Sequence, residues 1–167
     1  MLLDFRKIFA SYDAPIVRTL TFDLTQESFP GYTLKDPVQL EFTATKEGAA
    51  IRLAVLITAT VLAECARCLD PVERVFTAKR TFFIRDEEWA QDDPEGNNLP
   101  FTQDGKLDVK ELAYTELVLE IPTVLLCSDD CAGLCPVCGH RQPCSCRCET
   151  NDTTDARLLI LKQLLTD

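Results

Sequence analysis

The feature that most constrains this chain is a run of cysteines between residues 127 and 148. This run, CSDDCAGLCPVCGHRQPCSCRC, holds seven of the nine cysteines of the chain. It shows no apolar periodicity, so it cannot fold by burying one face of a helix or a strand. A segment of this kind is ordered by a metal ion, by an iron–sulfur cluster or by disulfides.

The two remaining cysteines form a second CxxC motif far upstream. Cys65 and Cys68 lie in the sequence CARCLDP, between two runs rich in β-branched and aromatic residues, Ile51–Cys65 and Val72–Ile84. Two such runs joined by a short turn that contains proline predict a β-hairpin. A CxxC at a hairpin tip is also the geometry of a zinc knuckle, in which both thiolates point at one ion.

The cysteines divide into pairs that fit two four-thiolate zinc sites, with one cysteine left over. The favoured partition joins the hairpin tip to the start of the cysteine run and leaves the second site to the rest of the run. The first site takes Cys65, Cys68, Cys127 and Cys131, and the second takes Cys135, Cys138, Cys146 and Cys148. Four thiolates leave no open coordination position, so this arrangement predicts a structural role with one or two zinc ions.

Several alternatives remain open from the sequence. Cys135 and Cys138 could face the hairpin pair instead, and either His140 or Cys144 could supply a ligand of the second site. The metal could be iron instead of zinc. In a different class of function, Cys65 and Cys68 would serve a redox sensor or a thiol-based enzyme, although neither CxxC opens a helix after a buried strand as in thioredoxin-like sites.

The charge of the chain favours a basic partner. There are 17 Lys and Arg residues against 27 Asp and Glu residues, a net charge of −10. Such a balance argues against gripping RNA phosphates as the main role and suits attraction of basic proteins, among which ribosomal proteins are abundant. Arg67, Arg74 and Arg80 nevertheless gather along the hairpin, so direct contact with RNA or a partner through these residues is a further hypothesis.

The predicted fold is α+β, with an antiparallel and partly barrel-like sheet and one packed helix. Asp108 is expected to cap this helix, and Pro122 to end it. Residues 1–126 would form the α+β domain, with an acidic loop at 85–100. Residues 127–167 would form a zinc-ordered segment that ends in a short helix and packs on the first part. On the helix, Glu116 is expected to face solvent.

Catalytic and targeting signals are weak in this sequence. The chain has a single histidine, no GxSxG motif and no glycine-rich phosphate loop, so enzyme activity and a small-molecule substrate are not expected. No stretch is long and apolar enough to predict a membrane span, and the first residues do not follow a signal-peptide pattern. These features predict a cytoplasmic protein, in which cysteines serve as ligands more often than as disulfides.

The order of these motifs resembles the YceD family. The shared features are CARCLDP at the hairpin, the helix end ELVLEIP, the stretch LCSDDCAGLCPVCG, a CxC, and an Asp-x-Arg-Leu motif at 155–158. The chain departs from the family pattern after CPVCG, where His140-Arg141-Gln142-Pro143 replaces an Asn-rich turn, and it carries one extra cysteine in Cys144–Cys148.

The resemblance implies a role in accumulation of the large-subunit (23S) ribosomal RNA, and hence in ribosome assembly. Members of the family are not established enzymes. The expectation is therefore a non-catalytic assembly factor that binds a basic ribosomal protein or a pre-ribosomal intermediate of the large subunit.

Overall fold

A long β-hairpin dominates the computed structural model, which describes residues 1–4, 7, 14–48, 50–85, 99–102 and 104–144. Seven strands and one helix lie within these described residues. They are β1 (Leu2–Leu3), β2 (Ile16–Phe22), β3 (Thr33–Leu34), β4 (Val38–Glu47), β5 (Ala50–Glu64), β6 (Pro71–Arg85), β7 (Leu107–Asp108) and α1 (Val109–Glu120).

Strand β5 is the centre of the main sheet, as its apolar content predicts. It pairs antiparallel with β6 along its whole length, from Ala50↔Arg85 to Glu64↔Pro71. Its other edge is shared by β4 and, nearer the hairpin tip, by β3, and β2 pairs with the outer edge of β4. The tip of the β5–β6 hairpin therefore projects from the sheet and carries the first CxxC motif.

Alternation along the strands decides which face of the sheet is buried. In β5 the odd-numbered residues from Ile51 to Val61 are buried, whereas their even-numbered neighbours are half-buried or exposed. Strand β4 alternates in the same way from Val38 to Ala44. Because side chains project from a strand with a period of two, these sets form one continuous apolar face. This face forms the core together with helix α1.

Helix α1 begins and ends where the sequence predicts. The side chain of Asp108 accepts a hydrogen bond from the backbone N–H of Lys110, which satisfies one free donor of the first turn. Ile121, which precedes Pro122, has extended backbone and ends the helix. The buried face is formed by Val109, Leu112, Ala113, Glu116 and Leu117.

The prediction that Glu116 faces solvent is wrong. Its side chain lies on the buried face of α1, and its Oε2 is 2.8 Å from Nε of Arg80 on β6. The same guanidinium also reaches Glu120, with Nη2 to Oε2 at 3.3 Å. Glu116 is seven residues after Val109, a spacing that returns to the same face of a helix. That spacing identifies position 116 as part of the buried face, but a charged residue is normally expected at the surface.

The predicted antiparallel sheet with one packed helix is confirmed, but the partly barrel-like closure is wrong. Among the described strands, β2 and β6 lie at opposite sides of the sheet and do not pair with each other. A barrel requires that pairing. Three short strands were not predicted, β1, β3 and β7, since two residues are too few to show alternation. The predicted acidic loop and the short C-terminal helix lie almost wholly outside the described residues.

Candidate metal centres

The tip of the β5–β6 hairpin forms a tight turn around the first CxxC. The backbone N–H of Cys65 donates to the carbonyl of Asp70 at 2.8 Å, and the N–H of Leu69 donates to the carbonyl of Cys65 at 2.9 Å. To close this turn, Leu69 adopts a left-handed backbone with φ of 63°, which is unfavourable for a residue with a β-carbon. Residues 65–70 are called the hairpin knuckle below.

The second CxxC forms the same turn, with the same two backbone hydrogen bonds. The N–H of Cys135 donates to the carbonyl of His140 at 2.7 Å, and the N–H of Gly139 donates to the carbonyl of Cys135 at 2.9 Å. Gly139 takes the place of Leu69 and has a φ of 70°. Residues 135–140, called the ribbon knuckle, thus present two cysteines in the same way as the hairpin knuckle does.

Four sulfurs converge at the hairpin knuckle, and they are those of the first site in the favoured partition. Sγ of Cys65 lies 3.8 Å from Sγ of Cys131, and Sγ of Cys68 lies 3.6 Å from Sγ of Cys127. All four sulfurs lie within 4.8 Å of one another. Tetrahedral zinc with bonds of about 2.3 Å requires sulfurs ~3.8 Å apart. We call this group the hairpin centre.

Backbone contacts bring the downstream cysteines to the hairpin knuckle. The N–H of Ala66 donates to the carbonyl of Leu125 at 2.9 Å, and the N–H of Leu134 donates to the carbonyl of Arg67 at 3.2 Å. At Gly133, which has a φ of 77°, an added β-carbon would lie 3.1 Å from the same Arg67 carbonyl oxygen. The segment that carries Cys127 and Cys131 is therefore fixed to the hairpin on both sides of the cysteines.

A second group of cysteines, the ribbon centre, surrounds the ribbon knuckle. The sulfurs of Cys135, Cys138 and Cys144 lie within 4.8 Å of one another. A β-bridge between Leu134 and Arg141 returns the chain past the knuckle toward Cys144. Cys144, which the sequence partition left over, therefore joins the pair that was predicted to bind the second ion. Cys146 and Cys148 lie outside the described residues.

The first cysteine of each knuckle has a lowered pKa. Burial raises the pKa of the Cys65 thiol, but hydrogen bonds from nearby backbone N–H groups outweigh it and bring the pKa to about 6. At Cys135, backbone N–H groups of Cys138 and Val137 lower the pKa to about 7, against the opposing effect of burial. Turns that direct N–H groups at sulfur favour the thiolate, which is the form that binds metal.

The pKa values of two other thiols in the hairpin centre, Cys68 and Cys131, lie above the ordinary value. The backbone N–H of Asp70 lowers the pKa of Cys68, but burial and hydrogen bonds shared with the neighbouring sulfurs raise it to about 12. The pKa of Cys131 is also raised, because burial and the sulfurs of Cys127 and Cys65 outweigh the backbone N–H of Gly133. Four close sulfurs cannot all carry charge unless a cation compensates them.

The donor set of the hairpin centre fits a single metal ion. Cys65, Cys68, Cys127 and Cys131 are not joined in disulfides, and the sulfur separations match one tetrahedral ion bound by four thiolates. Cys65, Cys68 and Cys131 are buried, and Cys127 is half-buried. Both groups could hold metal ions. Ligation by the predicted residues, and the identity of the metal, stay predictions.

The other predicted site residues occupy different positions. The ring of His140 does not belong to either sulfur group among the described residues, and its contribution to the ribbon knuckle is its carbonyl. All three arginines of the hypothesised RNA contact form bonds within the chain. Arg67 donates to the carbonyl of Cys131 at 2.9 Å, Arg74 donates to that of Leu126 at 3.2 Å, and Arg80 pairs with the two glutamates of α1.

Sequence reasoning missed Arg141. Its Nη1 forms an ion pair with Oδ2 of Asp70 in the hairpin knuckle, and its Nη2 lies 4.0 Å from Sγ of Cys127. The nearby carboxylate of Asp70 raises the pKa of the guanidinium further. Arg141 was noted only as a departure from the family's Asn-rich turn. Its distance of 71 residues from Asp70 left no local signal of this contact.

The fold and these cysteines define a class of protein: a small antiparallel sheet protein whose longest hairpin is closed by a four-cysteine centre. The family described as large ribosomal RNA subunit accumulation protein YceD matches residues 53–165, a range that includes both centres. The match covers more than half of the chain, which therefore belongs to the YceD family. The family description supports a role related to the ribosome.

Curated relatives of this chain occur in mycobacteria. An uncharacterized protein of Mycobacterium tuberculosis is 34% identical over 116 residues, which cover 61% of this chain and 56% of the relative. One of Mycobacterium leprae is 26% identical over 104 residues, covering 62% of this chain and 48% of the relative. The chain thus spans about half the length of these relatives. No solved structure matches it.

Helix α1, with its 12 residues, is too short to cross a membrane, and no other helix in the described part of the chain could do so.

Proposed function

We propose that this protein is a non-catalytic assembly factor that supports accumulation of the 23S ribosomal RNA of the large subunit. The observation that carries this proposal is the YceD family match over residues 53–165. The matched range begins inside strand β5 and includes the hairpin, helix α1 and the cysteine run. The proposed place of action is the cytoplasm, where ribosomes are assembled.

In this proposal the cysteine centres hold structural zinc. The hairpin centre offers four thiols at the spacing of one tetrahedral ion, and three of them are buried. Four thiolates complete the coordination of zinc and leave no position for water or substrate. The ion would fix the segment after α1 to the hairpin tip, so its contribution is to the stability of the fold.

The proposed partner is a basic ribosomal protein or a pre-ribosomal particle of the large subunit. A net charge of −10 favours attraction of basic surfaces and opposes binding to RNA phosphates. Direct binding of rRNA through Arg67, Arg74 and Arg80 gains no support from their positions. Each guanidinium donates within the chain, and Arg80 is matched by two carboxylates.

Depletion and complementation test the ribosomal role. In cells depleted of the endogenous protein, we expect the ratio of 23S to 16S rRNA and the 50S peak in a sucrose gradient to fall. Wild-type protein and the control Arg52→Gln, which alters an exposed residue of β5 far from the cysteines, should restore both. The Cys65→Ser/Cys131→Ser variant should not. An unchanged rRNA ratio after depletion would contradict the proposed role.

A thiol-based activity is the competing function, and one observation favours it: the pKa of Cys65 is about 6. However, Cys65 is fully buried, which shields its sulfur from a reaction partner. Alkylation with iodoacetamide under native conditions separates the two functions. The structural role predicts that Cys65 is modified only after a chelator is added. Rapid modification of Cys65 in the zinc-loaded protein would favour the thiol-based function.

A further inference from the structure

We propose that Arg141 couples the two cysteine centres, so that a metal ion in the ribbon centre raises the metal affinity of the hairpin centre. This inference rests on the proposed metal binding of both centres and is independent of the ribosomal role. The observation that suggests it is a contact between the two centres. The side chain of Arg141, which lies in the ribbon, contacts Cys127 of the hairpin centre and Asp70 of the hairpin knuckle.

The guanidinium of Arg141 touches the hairpin centre at two points. Nη1 pairs with the carboxylate of Asp70, whose carbonyl also accepts the N–H of Cys65 and closes the hairpin knuckle. Nη2 lies 4.0 Å from Sγ of Cys127, within the range of an N–H···S contact. Arg141 therefore supports the hairpin centre from outside its four sulfurs, as residues beyond the direct ligands of metal sites commonly do.

The position of Arg141 is set by the ribbon. Its backbone forms the bridge with Leu134, and the residues on either side continue the same pairing. The carbonyl of His140 accepts the N–H of Cys135 at 2.7 Å, and the N–H of Gln142 donates to the carbonyl of Gly133 at 3.0 Å. The same pairing includes Cys135, whose sulfur lies within 4.8 Å of those of Cys138 and Cys144. A metal ion that fixes the ribbon cysteines would therefore also fix Arg141.

Charge explains why the contact should raise metal affinity. A divalent ion with four thiolates carries a net charge of about −2, and a guanidinium beside one ligand sulfur stabilises that charge. Removal of supporting residues outside the direct ligands typically lowers metal affinity by about 10- to 100-fold. Because linkage is reciprocal, an ion in the hairpin centre should strengthen binding at the ribbon centre by the same factor.

Titration with zinc against a competing chelator, under reducing conditions, tests the coupling. The hairpin centre is identified as the site that Cys65→Ser abolishes. We expect Arg141→Gln to weaken that centre by about 10-fold. Cys138→Ser, which removes a ribbon ligand and leaves Arg141 in place, should weaken the hairpin centre by a similar factor. The double variant should bind there no more weakly than either single variant, because both changes interrupt the same connection.

Two further variants and cobalt spectra distinguish loss of the coupling from a general loss of folded structure. Arg141→Lys keeps the charge but loses the planar fork, so an intermediate affinity is expected. Arg52→Gln removes an equivalent exposed arginine on β5 and should leave both affinities unchanged. With Co²⁺ in place of zinc, the thiolate charge-transfer band of the hairpin centre should persist in Arg141→Gln and appear at higher Co²⁺ concentration.

Three results would overturn the coupling. Unchanged affinity of the hairpin centre in Arg141→Gln would remove the role of Arg141. If the double variant lost zinc affinity at the hairpin centre by the product of the two single-variant factors, Arg141 and the ribbon would act separately. Wild-type protein that binds no zinc at either centre would overturn the proposed metal role together with this inference, while depletion would still test the ribosomal role.

Discussion

The two knuckles have the same backbone geometry but are built into the chain differently. In both, the first cysteine accepts the N–H of the residue four positions later, which has a left-handed backbone. The hairpin knuckle extends from two strands paired over their full length, and Cys65 and Cys68 are buried. The ribbon knuckle extends from a single β-bridge, and both Cys138 and Cys144 are half-buried.

This comparison shows that the geometry of the turn and the structure that surrounds it are independent features. A CxxC with a left-handed residue at the fifth position suffices to direct two sulfurs at one point. What surrounds that turn determines how firmly the sulfurs are held. At the hairpin, the sheet supplies the order and the sulfurs connect it to the segment after α1. At the ribbon, the described backbone pairing is limited to one bridge and the hydrogen bonds beside it, so a metal ion should matter more there.

The largest expected difference between the centres is in global stability. Cys65→Ser should lower the free energy of unfolding by at least ~3 kcal/mol, because a buried ligand that ties two parts of the core is lost. Cys138→Ser should cost about 1.5 kcal/mol, because it leaves the four sulfurs of the hairpin centre in place and weakens their metal binding about tenfold. Chemical denaturation of both variants in the presence of zinc measures this. Equal losses would show that the ribbon supports the sheet as well.

The order of metal release should follow the same difference. Two of the three described sulfurs of the ribbon centre belong to half-buried residues, against one of the four in the hairpin centre, so we expect zinc bound at the ribbon centre to be released first. A colorimetric zinc indicator should show two phases, and Cys138→Ser should remove the faster one. A single phase that disappears in Cys65→Ser would instead place all releasable zinc at the hairpin centre.

Two glycines offer a finer comparison between the knuckles. Gly133 and Gly139 both have positive φ, but only at Gly133 would a β-carbon meet a neighbour, the Arg67 carbonyl oxygen at 3.1 Å. Gly139→Ala should cost about 1 kcal/mol from backbone strain alone, and Gly133→Ala about 2 kcal/mol because it also disturbs the contact with the hairpin knuckle. Denaturation curves with zinc present measure both. An equal loss of stability in the two variants would mean that the backbone near Arg67 moves to accommodate the added β-carbon at no measurable cost.

The smallest expected effect concerns the left-handed position of the turn, where the two knuckles carry different residues. Leu69 has a φ of 63° and its side chain is 60% exposed, whereas Gly139 occupies the same place in the ribbon knuckle. Leu69→Gly should stabilise the protein by about 0.5 kcal/mol, because relief of strain slightly exceeds the entropy cost of glycine. Leu69→Ala, which keeps the strain, is the control. If Leu69→Gly markedly lowered the free energy of unfolding and Leu69→Ala did not, the turn would require a side chain at this position.

The sheet, the helix and the two CxxC turns could be predicted because each has a local signal. Alternation in β4, the length of β5 and the Asp108 cap are visible within short windows of sequence. The CxxC motifs marked the two knuckles. The preferred grouping of Cys65 and Cys68 with Cys127 and Cys131 came from counting pairs, and the structure brings these same four sulfurs together.

The features that escaped prediction depend on contacts between distant residues. Cys144 lies with Cys135 and Cys138 because a bridge turns the ribbon back, and nothing in the spacing of CSCRC favours that cysteine over its neighbours. Arg141 meets Asp70 across 71 residues of sequence. Glu116 is buried because Arg80 compensates it from β6. In each case the partner comes from another element, whose placement the sequence did not specify.

The separation in sequence between the paired sulfurs has a consequence for folding. Cys68 and Cys127 are 59 residues apart, and Cys65 and Cys131 are 66 apart. A cross-link between such positions removes roughly 4 kcal/mol of loop-closure entropy from the unfolded chain, against roughly 3 kcal/mol for the short loop of the ribbon. An ion bound at the hairpin centre would therefore act as a long-range cross-link, and in the proposed zinc-bound protein the zinc supply would help set how much of the chain is folded.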